Sequence, residues 1–261
     1  MNADAGMGLT WRRRPVVRIN RKLDDDGLSP APIGPPNLKV NAPGRPRARG
    51  RPRVGLLGGS FNPAHEGHRA ISLEALKRLG LDQVWWLVSP QNPLKSHRGM
   101  ADLKARMASA TEIVGGHPRL MVTDLEQKIG TLYTIDTVKW LVRKGKHDFV
   151  WLIGADNLLQ MPKWRSWRTL LNLVPIAVFD REPYSYRALA GRVAKAYADC
   201  RIDVRDAKHL IHTAPPAWVY FRLRRHRISS TAIRSRREWP TGKRPEISML
   251  AQDGQTEGMS S

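Results

Sequence analysis

The apolar positions from Arg53 onward fall into two alternating patterns. Val54-Gly55-Leu56-Leu57 is a short apolar run that closes on Gly58-Gly59, and it is followed over 67–79 by apolar residues at helical spacing. A compact apolar block bounded by glycine predicts a buried strand, and the 3.6-residue spacing predicts a helix. The same alternation continues, with strands expected at 84–88, 120–123, 149–153 and 176–179 and helices at 101–114, 134–143, 167–173 and 186–198. A weaker strand is expected at 218–223. Repeated strand-helix units need crossover connections, and these predict an α/β fold: a Rossmann-like, doubly wound parallel sheet with helices on both faces. No internal repeat interrupts the series.

The pattern also sets the domain limits. Residues 1–52 are rich in Pro, Gly and Arg and carry no sustained apolar periodicity, so they are expected to form a disordered basic arm. A catalytic-size domain is expected over 53–240, and 241–261 reads as a flexible C-terminal tail. The longest apolar runs are far shorter than the roughly 18 residues a membrane helix needs, which removes the membrane class. Cys200 is the single cysteine, so neither an internal disulfide nor a cysteine-based zinc site can form. No apolar signal segment follows Met1, and the cytoplasm is the expected compartment.

Charge changes the picture less than its size suggests. The net charge is +21, and residues 1–53 hold 12 Lys or Arg against 4 Asp, so both parts of the chain are basic. Such a surface attracts any polyanion, from ATP to RNA. With no groove-reading motif, and no aromatic residue among the basic ones of the 1–52 arm after Trp11, the sequence argues against nucleic acid as the partner.

The chemistry concentrates after the first expected strand, in Gly58-Gly59-Ser60-Phe61-Asn62-Pro63-Ala64-His65-Glu66-Gly67-His68. In a doubly wound sheet this segment reaches the carboxyl edge, where ligands bind. Paired glycines allow close approach of a phosphate, and a helix N-terminus offers free N–H groups and partial positive charge. His65 and His68, three apart, lie on one helix face and can both donate to phosphate oxygens. The same residues also suit a tight turn followed by a decorated helix. Zinc is disfavoured, because the four-residue spacing of a His-Glu-x-x-His site is absent and no third ligand stands out.

Residues 58–68 resemble the Gly-x-Phe-x-Pro-x-His-x-Gly-His signature of the nucleotidyltransferase superfamily, and Ile228-Ser229-Ser230-Thr231-Ala232-Ile233-Arg234 resembles its Ile-Ser-Ser-Thr-x-Ile-Arg partner. Class I aminoacyl-tRNA synthetases share a shorter His-x-Gly-His element, but the Lys-Met-Ser-Lys-Ser loop is missing here. Three further stretches are similar to nicotinate-nucleotide adenylyltransferases: Tyr133-Thr134-Ile135-Asp136-Thr137, Ile153-Gly154-Ala155-Asp156 with Leu158 and Leu159, and Trp164 with Trp167 and Leu170-Leu171. Asn62 stands where many members carry Asp, and Arg165 where some carry an aromatic residue. The usual closing helix after the last motif is not evident.

The resemblance implies transfer of the adenylyl group of ATP to nicotinate mononucleotide, giving deamido-NAD and pyrophosphate. It implies catalytic roles for His65, His68 and Lys95. ATP binding is implied for Gly58, Gly59, Ser60, Phe61, His65, His68, Ser230, Thr231 and Arg234. Acceptor binding is implied for Ser60, Lys95, Thr134, Asp156 and Trp164, with Trp164 stacking on the pyridine ring. Asp156, just past a strand, suits ribose hydroxyls, and it suits equally an N-cap of the next helix. Magnesium is implied with ATP as substrate, held by phosphates and water with no protein-built metal site. The acceptor segment around Trp164 separates this reading from sister transferases using other acceptors, such as phosphopantetheine. A homo-oligomer is compatible with the resemblance.

Overall fold

The computed structural model describes residues 50–90, 100–180 and 185–223. Six strands form one sheet: β1 (Arg53–Gly59), β2 (Gln83–Val88), β3 (Leu120–Thr123), β4 (Asp148–Gly154), β5 (Ile176–Asp180) and β6 (Trp218–Arg222). Their order is β3-β2-β1-β4-β5-β6 and every pairing is parallel. The chain thus starts at the centre, builds outward to β3, and returns to lay β4 on the other side of β1. That reversal is the doubly wound topology expected from the sequence, and it opens a crevice at the carboxyl ends of β1 and β4.

The helices are α1 (Glu66–Arg78), α2 (Leu103–Val114), α3 (Leu125–Lys128), α4 (Thr134–Lys144), α5 (Ala155–Gln160), α6 (Trp167–Leu173), α7 (Ser185–Leu189) and α8 (Arg192–Ala196). Helix α1 shows why they form. Its acidic Glu66 opens the first turn, Lys77 and Arg78 close the last one, and Ile71, Ala75 and Leu76 make the buried face. One core gathers Ile71, Leu79, Ala110 and Val114 from α1, α2 and their flanks under one face of the sheet. The other gathers Ile135, Val138, Leu158, Leu170 and Val193 under the opposite face. Strand β4 is buried from Phe149 to Gly154, as a central parallel strand covered on both sides must be.

Four elements depart from the expected pattern. The helix expected at 186–198 is two short helices, because Gly191 takes an extended conformation (φ −71°, ψ 164°) as N-cap of α8. A Cβ there would meet the Ala188 carbonyl at 3.1 Å and Leu159 at 3.2 Å. Helices α3 and α5 were absent from the periodicity, being four and six residues long. A nine-residue 3-10 segment, Val204–His212, buries Ala207, Leu210 and Ile211 against the sheet. Its three-residue period does not register as a helix or a strand. Just before β1 the Pro52 carbonyl accepts from the Asp148 amide at 3.0 Å.

Candidate active site

Strand β1 ends at Gly59 and the chain enters α1 through a turn built for close approach. Gly58 lies flush against the Trp151 indole on β4, and a Cβ at that position would sit 2.7 Å from the ring. Phe61 adopts a left-handed backbone conformation (φ 45°), which costs a non-glycine residue about 1 kcal/mol or more and therefore needs support from its surroundings. The support is visible: Phe61 is 2% exposed and its ring stacks on Trp86 with centroids 5.0 Å apart. Trp86 in turn is fixed by its indole N–H, which donates to the Ser72 hydroxyl at 2.8 Å, while that hydroxyl donates to the His68 carbonyl at 2.9 Å.

His65 and His68 form a reciprocal cap on α1. His65 is the N-cap, and its Nδ1 accepts from the Gly67 amide at 3.1 Å. The Nδ1 of His68 accepts from the His65 amide at 3.2 Å. The rings stack with centroids 3.8 Å apart, and His68 also packs at 4.8 Å on Phe61. With both Nδ1 atoms occupied as acceptors, the ring proton of each neutral imidazole belongs on Nε2. The N–H donor of each ring is therefore Nε2–H, the tautomer suited to an anion.

The other side of the crevice is made by the N-terminus of α4 and the segment after β4. In α4 the N-cap Tyr133 supplies no side-chain cap, and the amides of Asp136 and Thr137 bond back to the Tyr133 carbonyl. Half-buried Thr134 opens the helix, at its partially positive end. Trp164 follows a 3-10 turn, Met161–Lys163, and packs half-buried on the core. The next residue, Arg165, lies over the Tyr133 ring at 4.7 Å and reaches Asp136 at 3.9 Å. The Trp164 and Thr134 segments, distant in sequence, are thus brought together. Asp156 is the second residue of α5, beyond the end of β4. The N-cap of that helix is Gly154 with no side-chain cap bond, so the capping role for Asp156 is not realised.

The structure adds residues the motifs do not contain. The Asn62 amide oxygen accepts from the Ala101 amide at 3.1 Å, tying the turn to the start of α2. An acceptor oxygen is all that bond requires, so Asn62 in place of Asp preserves it. Glu126 is buried beside Thr137 of α4, whose hydroxyl donates to it at 3.4 Å, and Thr137 also contacts the Thr131 hydroxyl at 2.7 Å. Burial pushes the Glu126 carboxyl up to about 7, against the opposing pull of the Thr137 hydrogen bond. Lys95, Ser230, Thr231 and Arg234 lie outside the described residues.

Among the described residues no three His, Cys, Asp or Glu side chains converge as a metal-binding group. The donors gathered at the turn are imidazole N–H and backbone amides, which suit phosphate oxygens. A hard divalent cation prefers oxygen ligands, and here those would be phosphate and water. No described helix is long and apolar enough to cross a membrane.

Comparison with known proteins agrees with this geometry. The family model described as cytidylyltransferase-like matches residues 56–236. A protein of Bradyrhizobium sp. (strain ORS 278) named "Probable nicotinate-nucleotide adenylyltransferase" is 50% identical over 184 residues, covering 70% of this chain and 95% of its own length. One of the same name from Parvibaculum lavamentivorans is 48% identical over 188 residues, covering 72% of this chain and 93% of its own. The fold is similar to that of the Plasmodium falciparum nicotinic acid mononucleotide adenylyltransferase complexed with NaAD, with a TM-score of 0.52 at 16% identity over 70% of this chain and 83% of that one.

Proposed function

Since this chain belongs to the cytidylyltransferase-like family, and within it to the nicotinate-nucleotide adenylyltransferases, we infer that it transfers the adenylyl group of ATP to nicotinate mononucleotide in NAD biosynthesis. The observation that carries the reading is the reciprocal His65–His68 cap at the switch point of the sheet, with the Trp164 and Thr134 segments meeting nearby.

An oxygen of the acceptor's 5′-phosphate attacks the α-phosphorus of ATP. The new P–O bond forms as the bond to the β-phosphate breaks, and its electron pair leaves on pyrophosphate. A phosphate monoester is already a competent nucleophile, so the protein needs no strong base. It must align two anions and offset the charge on the leaving group. In this reading His65 and His68 donate from Nε2 to the ATP phosphates and to the transition state, and Gly58, Gly59, Ser60 and Phe61 bring backbone against the nucleotide. Ser230, Thr231 and Arg234 hold the β and γ phosphates, and Lys95 contacts the acceptor phosphate, by their match to the family motifs. Trp164 stacks on the pyridine ring, a contact worth about 1 kcal/mol beyond its buried area. The α4 N-terminus at Thr134 and the Arg165 cation favour a carboxylate on that ring. Asp156 accepts from ribose hydroxyls. Magnesium enters with ATP, bound by phosphates and water. The compartment we propose for the reaction is the cytoplasm.

The direct test is product identification by mass from ATP, magnesium and nicotinate mononucleotide. Nicotinate adenine dinucleotide should form in equal amount to pyrophosphate, and its absence would contradict the reading.

A further inference from the structure

Arg106 belongs to none of the motifs, yet at 1% exposure it is the least accessible charged side chain among the described residues. Its Nε donates to the Ala101 carbonyl at 3.0 Å. One terminal nitrogen donates to the carbonyls of Ser60 at 2.8 Å and Ser89 at 2.7 Å, and the other to that of Pro90 at 2.9 Å. These acceptors come from the turn after β1, the end of β2 and the entry to α2. The planar fork of a guanidinium can serve three directions at once, which a lysine ammonium on a single stem does less well.

The bonding is unusual in charge. A buried guanidinium commonly pairs with a carboxylate, because an uncompensated ion in the interior costs several kcal/mol. Every hydrogen bond of Arg106 goes to a neutral carbonyl, and no described carboxylate lies within ion-pair distance. Desolvation pulls its pKa down, with only the more distant Asp102 charge acting the other way. A buried cation thus stands directly behind the turn that carries Ser60, Phe61, His65 and His68.

The position has a stereochemical consequence. The Ser60–Phe61 peptide is not among the cis bonds, so its C=O and N–H point in opposite directions. Fixing the Ser60 carbonyl on Arg106 therefore aims the Phe61 N–H away from the guanidinium, and the strained Phe61 backbone holds that orientation. The Ser89 amide is bonded to the Gly59 carbonyl at 3.0 Å, so the ends of β1 and β2 are joined where the turn begins.

Building on the adenylyltransferase reading, we propose that Arg106 is a positioning residue for ATP: its guanidinium clamps the nucleotide turn through the Ser60 carbonyl and supplies, from behind, positive charge that the bound triphosphate completes. It touches neither substrate.

The test is Arg106→Lys in the full chain, which keeps a cation and loses the fork. Kinetics are measured well below the melting temperature, and binding of a non-hydrolysable ATP analogue with magnesium is followed by calorimetry. The expected result is a fall of about 10²-fold in kcat/KM for ATP and a rise of about tenfold in the analogue's Kd, with KM for nicotinate mononucleotide changed less than about threefold. A brace with no role in ATP positioning would lower the melting temperature and leave both ATP parameters unchanged, which would overturn the proposal. Should the variant fail to fold, the Arg106 Nε–H resonance of the unaltered protein is followed as analogue is added: a shift supports the proposal, and none at saturation refutes it. If the unaltered protein makes no product from nicotinate mononucleotide while Arg106→Lys still weakens analogue binding, the acceptor assignment fails and the role of Arg106 stands.

Discussion

His65 and His68 each use the Nδ1 lone pair on a backbone amide, and that single fact fixes both the rotamer and the tautomer of the pair. Replacing His68 by Ala removes one half of the cap and, in the proposed mechanism, a transition-state donor. Because α1 retains its buried apolar face, His68→Ala should fold while kcat drops by about 10² to 10³. Steady-state kinetics check this, and unaltered turnover would remove His68 from the mechanism. Trp164 makes a different prediction. With its ring stacked on the pyridine as proposed, Trp164→Ala should raise KM for nicotinate mononucleotide by about tenfold and leave KM for ATP nearly constant. If only the ATP constant moved, the stacking assignment would be wrong.

At the scale of elements, Thr134 and the N-terminus of α4 follow the short helix α3 and the loop that leads from it. Glu126 anchors this stretch, and burial holds its carboxyl near 7 in place of an ordinary 4.5. The folded state therefore keeps a proton that the unfolded chain gives up. The stability that Glu126 contributes is fully present below about pH 4.5 and is lost as pH rises to about 7, a change of about 3 kcal/mol. Glu126→Gln should abolish that component, so that melting temperature between pH 5 and 8 declines less steeply in the variant than in the parent. Parallel melting profiles would show that Glu126 does not titrate in this range.

The elements also explain what the sequence could reveal. The turn from Gly58 to His68 was legible because all of its chemistry lies in eleven consecutive residues, and the winding of the sheet followed from regular strand-helix alternation. Arg106 left no trace, since its partners are carbonyls, which every residue has, and three of the four lie 46, 17 and 16 positions away. Glu126 and the break at Gly191 were hidden for a related reason. Burial of a lone carboxyl and an extended glycine inside a helical pattern depend on neighbours that periodicity does not name.

For the whole molecule, the order β3-β2-β1-β4-β5-β6 is what turns separate motifs into one site. The N-termini of α1 and α4 reach the same edge from opposite faces of the sheet, one bearing the imidazoles and the other Thr134. The chain carries a net charge of +21 and its reaction takes two anionic substrates, so charge of that sign favours their encounter at low salt. The phosphate-binding parts are common to transferases with many acceptors, so the claim that distinguishes this account is the identity of the acceptor. Pyrophosphate release with ATP and magnesium, compared across nicotinate mononucleotide, nicotinamide mononucleotide and phosphopantetheine, tests it most directly. The account predicts rapid release with the nicotinate nucleotide and far less with the other two; release only with phosphopantetheine, or with no acceptor, would contradict it.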